Sequence, residues 1–307
     1  MAAASGRLAA LEFAAMAVSL LVGNGIDRLS NEEAAWENIL RQLGAGNPTG
    51  RELEHVELKP FALLYEEILL ADSNQTGRVD DFGAKQRIAG LVDAFKPNSF
   101  HQRLLSAPVQ HILTTNYDYT LEQAATSNHQ RSNVKAETKY SLFRRHSAGG
   151  RYVWHIHGEA SAPNTITLGY DQYSGYLQKM RAYATAAPGG KEASPFKRRE
   201  RDFDGGPNSV YSWMDVFFRD DIHIIGLGLD FAEIDLWWAL TYKRRLEIRG
   251  FAVGKTVFHD WYVGAVEKAG LAKRSLLAGL GVNVHPLECK DGFESAYDAF
   301  LTSTFGV

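Results

Sequence analysis

Short apolar runs that end in glycine or a polar turn, each followed by a stretch of helical spacing, organise this chain. Val18–Val22 runs into GNGID, His111–Thr114 into TNYD, Tyr152–His157 into GE, Thr165–Leu168 into GYD and His223–Ile225 into GLGLD. Thr256–Phe258 and Val282–His285 complete the set. Runs that are apolar throughout suit strands buried on both faces of a mostly parallel sheet. Helical spacing follows at Glu33–Leu43, Phe61–Leu70, Ala84–Phe95, Gln172–Tyr183, Val210–Arg219, Ala232–Leu246 and Phe293–Leu301. Ser30, with Glu33 three residues on, reads as a capping box for the first of these. The alternation predicts an α/β fold: a Rossmann-like, doubly wound, mostly parallel sheet with helices on both faces.

Two segments break the alternation. Residues from about 31 to 105 are mainly helical and long for one crossover, which predicts a helical insertion subdomain. Residues from about 186 to 208 hold Pro188, Gly189, Gly190, Pro195 and the run KRRERD, the composition of an exposed, mobile loop. Its acids offset its bases, so it reads as solvated chain rather than a nucleic-acid patch. Met1–Val22 is alanine- and leucine-rich, but Glu12 interrupts it and Arg7 alone supplies positive charge, so it reads as a helix leading into the first strand rather than a signal peptide. The expected organisation is one domain over residues 1–307, with no separate sensor domain.

Composition then narrows the function classes. A net charge of -3 argues against a strong electrostatic grip on nucleic acid or anionic membrane, leaving nucleic acid only through a partner. With 45% hydrophobic and 22% charged residues the chain reads as a soluble globule, expected in the cytoplasm. A single cysteine, Cys289, excludes a disulfide framework and a cysteine-based zinc site within one chain.

In an open parallel sheet, ligands bind beyond the carboxyl ends of the strands, near the point where strand order reverses. Four strand ends carry candidate chemistry. Gly23 and Gly25 let backbone approach a pyrophosphate, or simply make a tight turn; the third glycine of the usual dinucleotide fingerprint is missing. After the second strand come Thr115, Asn116, Tyr117 and Asp118. Asn116 can hold a ribose hydroxyl or a water, and Asp118 can accept from a carboxamide or ribose, or both can form an Asx turn capping the helix at Thr120. Period-2 geometry puts His155 and His157 on one strand face, with His157 nearer the crevice and the better base, and His155 deeper, as a core histidine. Gly226 and Gly228 again permit close backbone approach. Asp230, Glu233 and Asp235 follow, with helix capping the expected role of the last two.

The order GNGID, TTNYD, HIHGE, IIGLGLD resembles the sirtuin-like NAD-binding domain, in the branch found in bacterial anti-phage defence systems. The likeness runs from about residue 18 to residue 240, and the closing GVNVHPLECKDGFESAYDAFL is similar to that branch's last strand and helix. The resemblance implies that Asn116 positions ribose and the attacking water and that His157 is the catalytic histidine. It implies NAD contacts from Gly23, Asn24, Gly25, Asp27, Thr115, Asp118, Gly226, Gly228 and Asp230, with Asp118 near the nicotinamide pocket. Deacetylating sirtuins usually carry a four-cysteine zinc ribbon and a glutamine before the asparagine; this chain has one cysteine and Thr115 there.

The resulting expectation is an NAD glycohydrolase that takes NAD as substrate, needs no metal, and yields nicotinamide with ADP-ribose or a cyclised form. A defence effector of this kind is expected to be held in check by homo-oligomerisation or a regulatory partner protein, with the helical segment as gate. Other readings stand beside it. The chain can be a subunit that binds NAD or ADP-ribose without turnover, a protein deacylase, or a metal-dependent hydrolase using His155, His157 and Glu159 as an H-x-H-x-E array.

Overall fold

A computed structural model describes residues 17–45, 53–125, 130–131, 139–185 and 212–307. The expected N-terminal helix and the loop near 186–208 lie outside these residues. Strand β1 (Val18–Val22) is followed by helices α1 (Trp36–Ala45), α2 (Phe61–Thr76), α3 (Asp81–Asp93) and α4 (Ser99–Ser106). Next come β2 (His111–Thr114), α5 (Thr120–Ala124), β3 (Gln130–Arg131), β4 (His146–Ala148), β5 (Arg151–His155) and α6 (Tyr170–Thr185). The remainder is α7 (Trp213–Arg219), β6 (Asp221–Ile225), α8 (Ile234–Ile248), β7 (Thr256–Tyr262), α9 (Lys268–Gly279), β8 (Asn283–Glu288) and α10 (Phe293–Phe305).

The described strands form an eight-stranded sheet in the order β3-β4-β5-β2-β1-β6-β7-β8. Pairing is parallel from β5 through β8, and antiparallel only where β3 and β4 extend one edge. This is the Rossmann-like α/β architecture read from the apolar runs. The chain leaves β1 towards β2 on one side and later returns to β6 on the other, so strand order reverses between β1 and β6. Successive residues of each central strand point to opposite faces. Leu21, Leu113, Trp154 and Ile224 pack into one core with α6, α7 and α8. Leu20, Val22, Ile112, Val153 and Ile225 pack into another with α4, α5 and α10.

Between β1 and β2, helices α1 to α3 have a core of their own, built on Ile39, Leu40, Leu64, Ile68, Ile88 and Val92. That core continues onto Tyr117, Tyr119, Ile166 and Leu168 from the loops after β2 and β5, so the helical layer leans on the carboxyl end of the sheet. Helix α4 instead packs on the sheet through Leu104 and Leu105.

Several sequence expectations are corrected. Thr165–Leu168 is not a strand: a 3-10 turn spans Pro163–Thr165 and the chain then runs extended outside the sheet. Its backbone is satisfied elsewhere, since Thr167 N donates to His157 O at 2.7 Å and Tyr117 Oη donates to Thr167 O at 2.6 Å. The expected Ser30 capping box is absent. A 3-10 turn over Glu32–Ala34 precedes α1, and Asn31 caps it by accepting from Glu33 N, while Ser30 Oγ donates to Asp27 O. The strand read as Tyr152–His157 ends at His155, and Ile156 and His157 turn out of it. No helix among the described residues is long and apolar enough to cross a membrane.

Candidate active site

At the reversal point the turns after β1 and β6 touch backbone to backbone. Gly23 N donates to Ile225 O at 3.0 Å, and Gly25 N donates to Gly226 O at 2.8 Å. A Cβ on Gly23 or Gly25 would stand 2.6 or 2.7 Å from Gly226 O, closer than side-chain carbons approach. These glycines are therefore required by contact between two turns, whatever they do for a ligand. Gly226 has φ +60 and, directly after the exposed Gly228, Leu229 has φ 48, a left-handed conformation unusual for a branched residue. Leu229 is fully buried in the α8-side core, which holds it there.

His157 lies just past the end of β5, and its backbone position depends on Gly158, whose φ is +108 and whose missing Cβ leaves room for the Thr165 carbonyl. Its ring stands edge-on to Tyr173 and Tyr176 of α6, and its Nε2 lies 2.8 Å from Asp235 Oδ2 at the start of α8. Both residues are buried. Burial favours the neutral imidazole, but the Asp235 charge and hydrogen bond, with Glu233 behind them, hold His157 above its ordinary range. Glu233 is pushed up to about 7 by burial, with the His157 charge opposing and Asp235 reinforcing the rise. With Nε2 occupied, Nδ1 is the nitrogen of His157 left to take a proton.

The expectation that His155 and His157 share a face is overturned. His155, still in the strand, turns to α5, with Nε2 2.8 Å from Glu122 Oε1 and Nδ1 3.0 Å from Asn116 O. His157, beyond the strand, turns to α8. Burial opposes charge on His155, but Glu122 outweighs it and raises the imidazole to about 9. Glu159 hydrogen-bonds to His146 Nε2 at 2.6 Å, so the H-x-H-x-E residues do not converge on one point. Among the described residues no group of three or more His, Cys, Asp or Glu is placed to hold a metal ion.

Asn116 is 5% exposed and follows β2. Its Nδ2 donates to Asp27 Oδ2 at 2.8 Å, and its N–H donates to Thr114 Oγ1 at 3.0 Å. Asp118 is engaged locally, accepting from Thr120 N at 2.9 Å and Thr120 Oγ1 at 2.6 Å. Burial, and then the charge of Asp27, push Asp118 up to about 7, against those hydrogen bonds. Asn116 and His157 thus occupy neighbouring strand ends without touching; His155 bridges β5 to the Asn116 carbonyl.

A cleft of about 290 Å³ opens above these turns. Asn24, Thr115, His157, Gly226, Gly228 and Asp230 line it, and Tyr117, Tyr173, Glu233, Arg28 and Lys273 join them. Helices α1 and α2 add Trp36 and Phe61 to its wall. Asn24 Nδ2 donates to Ala34 O at 2.9 Å, tying the first turn to the helical layer. Asp230 Oδ1 accepts from Ala232 N at 2.7 Å, and Lys273 Nζ donates to Gly228 O at 2.7 Å. A second cavity of about 520 Å³ lies beyond β6 and β7, lined by Gly25, His259, Trp261 and Tyr297. Arg28, Gly226, Leu227 and Gly228 border both cavities. Asp27, Gly23, Asn116 and Asp118 sit behind this lining. The sequence reading missed Asp235 as a partner of His157, because an acidic residue in a first helical turn is sufficiently explained by capping. It also missed Tyr173, Trp36 and Lys273, which no local signal marks.

Residues 110–189 match the family described as SIR2-like domain. The chain is 30% identical over 114 residues to the NAD(+) hydrolase ThsA of Acinetobacter baumannii (strain 532279). That match covers 36% of this chain and 23% of the relative, so it spans about a quarter of the curated protein. The SIR2-like stretch contains β2 and β5, Asn116, and the cleft-lining residues Thr115, Tyr117, His157 and Tyr173. The chain is thus similar to SIR2-like domains over residues 110–189, a stretch set on a Rossmann-like sheet with the candidate residues at its strand ends.

Proposed function

We propose that this chain cleaves the bond between nicotinamide and ribose in NAD. The observation that carries the reading is His157, buried against Asp235 yet lining a cleft at the point where strand order reverses. The layout suits a dinucleotide. Two cavities meet over paired glycine turns, and exposed Arg28 borders both, where an anionic pyrophosphate joins the two nucleosides.

Nicotinamide in NAD is already a cationic leaving group, so its expulsion needs no acid. The C1′–N bond breaks with its electron pair passing to the ring nitrogen, and neutral nicotinamide departs. Water adds to C1′ as its proton passes to His157 Nδ1, while Asp235 stabilises the imidazolium that forms. Asn116 holds the nucleophile through its amide oxygen. A positioned base of this kind typically contributes about 10²–10⁴-fold.

Similarity to an NAD(+) hydrolase supports this reading, and the family resemblance extends it to an anti-phage effector that depletes NAD. One cysteine in 307 residues cannot build a four-cysteine zinc ribbon, which favours plain NAD cleavage over acyl-lysine removal. Self-association or a partner protein acting on α1 and α2 would control entry, since those helices supply Trp36 and Phe61 to the cleft wall.

Pure protein incubated with NAD is expected to release nicotinamide, with ADP-ribose or its cyclised form separated in the same chromatogram. Asn116→Ala and His157→Ala are expected to lower release by at least about 10²-fold while far-UV circular dichroism stays unchanged. Undiminished release in both variants would refute the assignment.

A further inference from the structure

We infer that His101, on the first turn of α4, is a positioning residue that sets the orientation of the Asn116 side-chain amide through Asp27. The inference rests on the reading of Asn116 given above for its consequence in turnover, but its structural content can be tested separately. Asp27, in the turn after β1, is 2% exposed. One of its carboxylate oxygens receives Asn116 Nδ2 at 2.8 Å, and the other lies 3.2 Å from His101 Nε2, where the ring is fully buried.

The tautomer of His101 follows from the other side of the ring. Nδ1 is 3.0 Å from Asn98 N, a backbone donor, and 2.9 Å from Asn98 Oδ1. A neutral ring accepts from the first; a protonated ring donates to the second. In either form Nε2 carries a hydrogen directed at Asp27. The remaining tautomer would set an imidazole lone pair against the carboxylate. The His101 contact thereby fixes how the Asp27 carboxylate is turned, and its other oxygen, a carboxylate acceptor, is matched by the N–H side of the Asn116 amide. The amide oxygen then points away from Asp27, free to receive a hydrogen from water or a ribose hydroxyl. Asn98 Nδ2 donates to Ile26 O at 2.8 Å, so the α4 N-terminus also holds the backbone that carries Asp27.

Two substitutions at His101 separate positioning from capping. Glutamine places an amide N–H near the position of Nε2 and keeps the donor to Asp27, but loses the Nδ1 contact. Asparagine places its carbonyl near Nδ1 and keeps the contact to Asn98 N, but does not reach Asp27. The Asn116 side-chain amide resonances, recorded on protein labelled with ¹⁵N-asparagine and assigned by their loss in Asn116→Ala, report the link directly. They are expected to stay near their wild-type positions in His101→Gln and to move towards free-amide positions in His101→Asn. Both variants are first checked to unfold cooperatively in urea. In the same samples kcat for nicotinamide release is expected to fall at least tenfold in His101→Asn, with KM little changed, and to be largely kept in His101→Gln. Unmoved amide resonances in His101→Asn would overturn the inference. Moved resonances in protein that releases no nicotinamide, even unmutated, would uphold the positioning link and count against the hydrolase reading.

Discussion

At the scale of single residues, the site depends on carboxylates that set the state of uncharged-polar and imidazole groups. His157 is buried in a place that would ordinarily keep it neutral, and Asp235 reverses that preference. Removing the charge while keeping the shape, in Asp235→Asn, should therefore lower the His157 pKa. If His157 is the base, the rate rises with pH as it loses its proton. The acid limb of kcat/KM is then expected at lower pH in Asp235→Asn, with a lower plateau because the base is weaker and its imidazolium less stabilised. A pH–rate profile checks this; an unmoved limb would separate His157 from proton transfer. Asn116 and Asp118 differ although two residues apart. Asp118 spends its Oδ1 on Thr120, the Asx turn readable from the local sequence. Asn116 reaches Asp27, 89 residues away, which no local pattern encodes.

Among elements, the junction of β1 and β6 sets the geometry of the cleft floor. Gly23, Gly25 and Gly226 let two turns meet at hydrogen-bond distance. Gly23→Ala and Gly25→Ala each place a carbon against the Gly226 carbonyl, and backbone cannot give way as a flexible side chain does. Each is expected to destabilise the fold by about 1–3 kcal/mol, the usual cost of overpacking, as measured by urea unfolding. Equal stability would mean the turns can part. The glycines were visible in the sequence as ligand candidates; their contact with one another was not. Elements that bury broad apolar surface were legible, as with β1, β2, β6 and α8. Helix α9 was not, because it buries Leu277 but leaves Leu271 and Leu276 about half exposed, at 54% and 52%, so its apolar face is poorly marked. Conversely, Thr165–Leu168 has the composition of a strand but finds its hydrogen bonds in a turn and a tyrosine.

For the whole molecule, the two layers of helices close the middle of the sheet more completely than its β7–β8 flank, where β8 is largely exposed. On that flank His223 and His259 stack across neighbouring strands, with Nδ1 of the first 3.0 Å from Nε2 of the second, beside Phe300 and Trp261. Burial lowers both, and His223 and His285 lower His259 further, to about 3. Between the ordinary histidine value near 6.5 and about 3, the unfolded chain binds more protons here than the folded one. This contribution to stability is therefore present above pH 6.5 and lost as pH falls through that window. Thermal melts from pH 7 to pH 4 are expected to show a shallower fall in Tm for His259→Leu than for the unmutated chain. Parallel curves would place the acid sensitivity elsewhere.

The amino-acid sequence by itself determined the α/β class, the central strands, the helical layer before β2 and the four strand ends at which to look. It could do so because burial against a sheet demands apolar runs, and turns demand glycine or short polar residues, both of which are local properties. Tertiary structure decided which polar groups meet. It paired His157 with Asp235 across 78 residues and Asp27 with His101 across 74, and it turned His155 and His157 to different helices although one residue separates them. Those choices follow from strand order and from where β5 stops, because a buried imidazole or carboxylate settles on whatever partner the packed elements bring within about 3 Å.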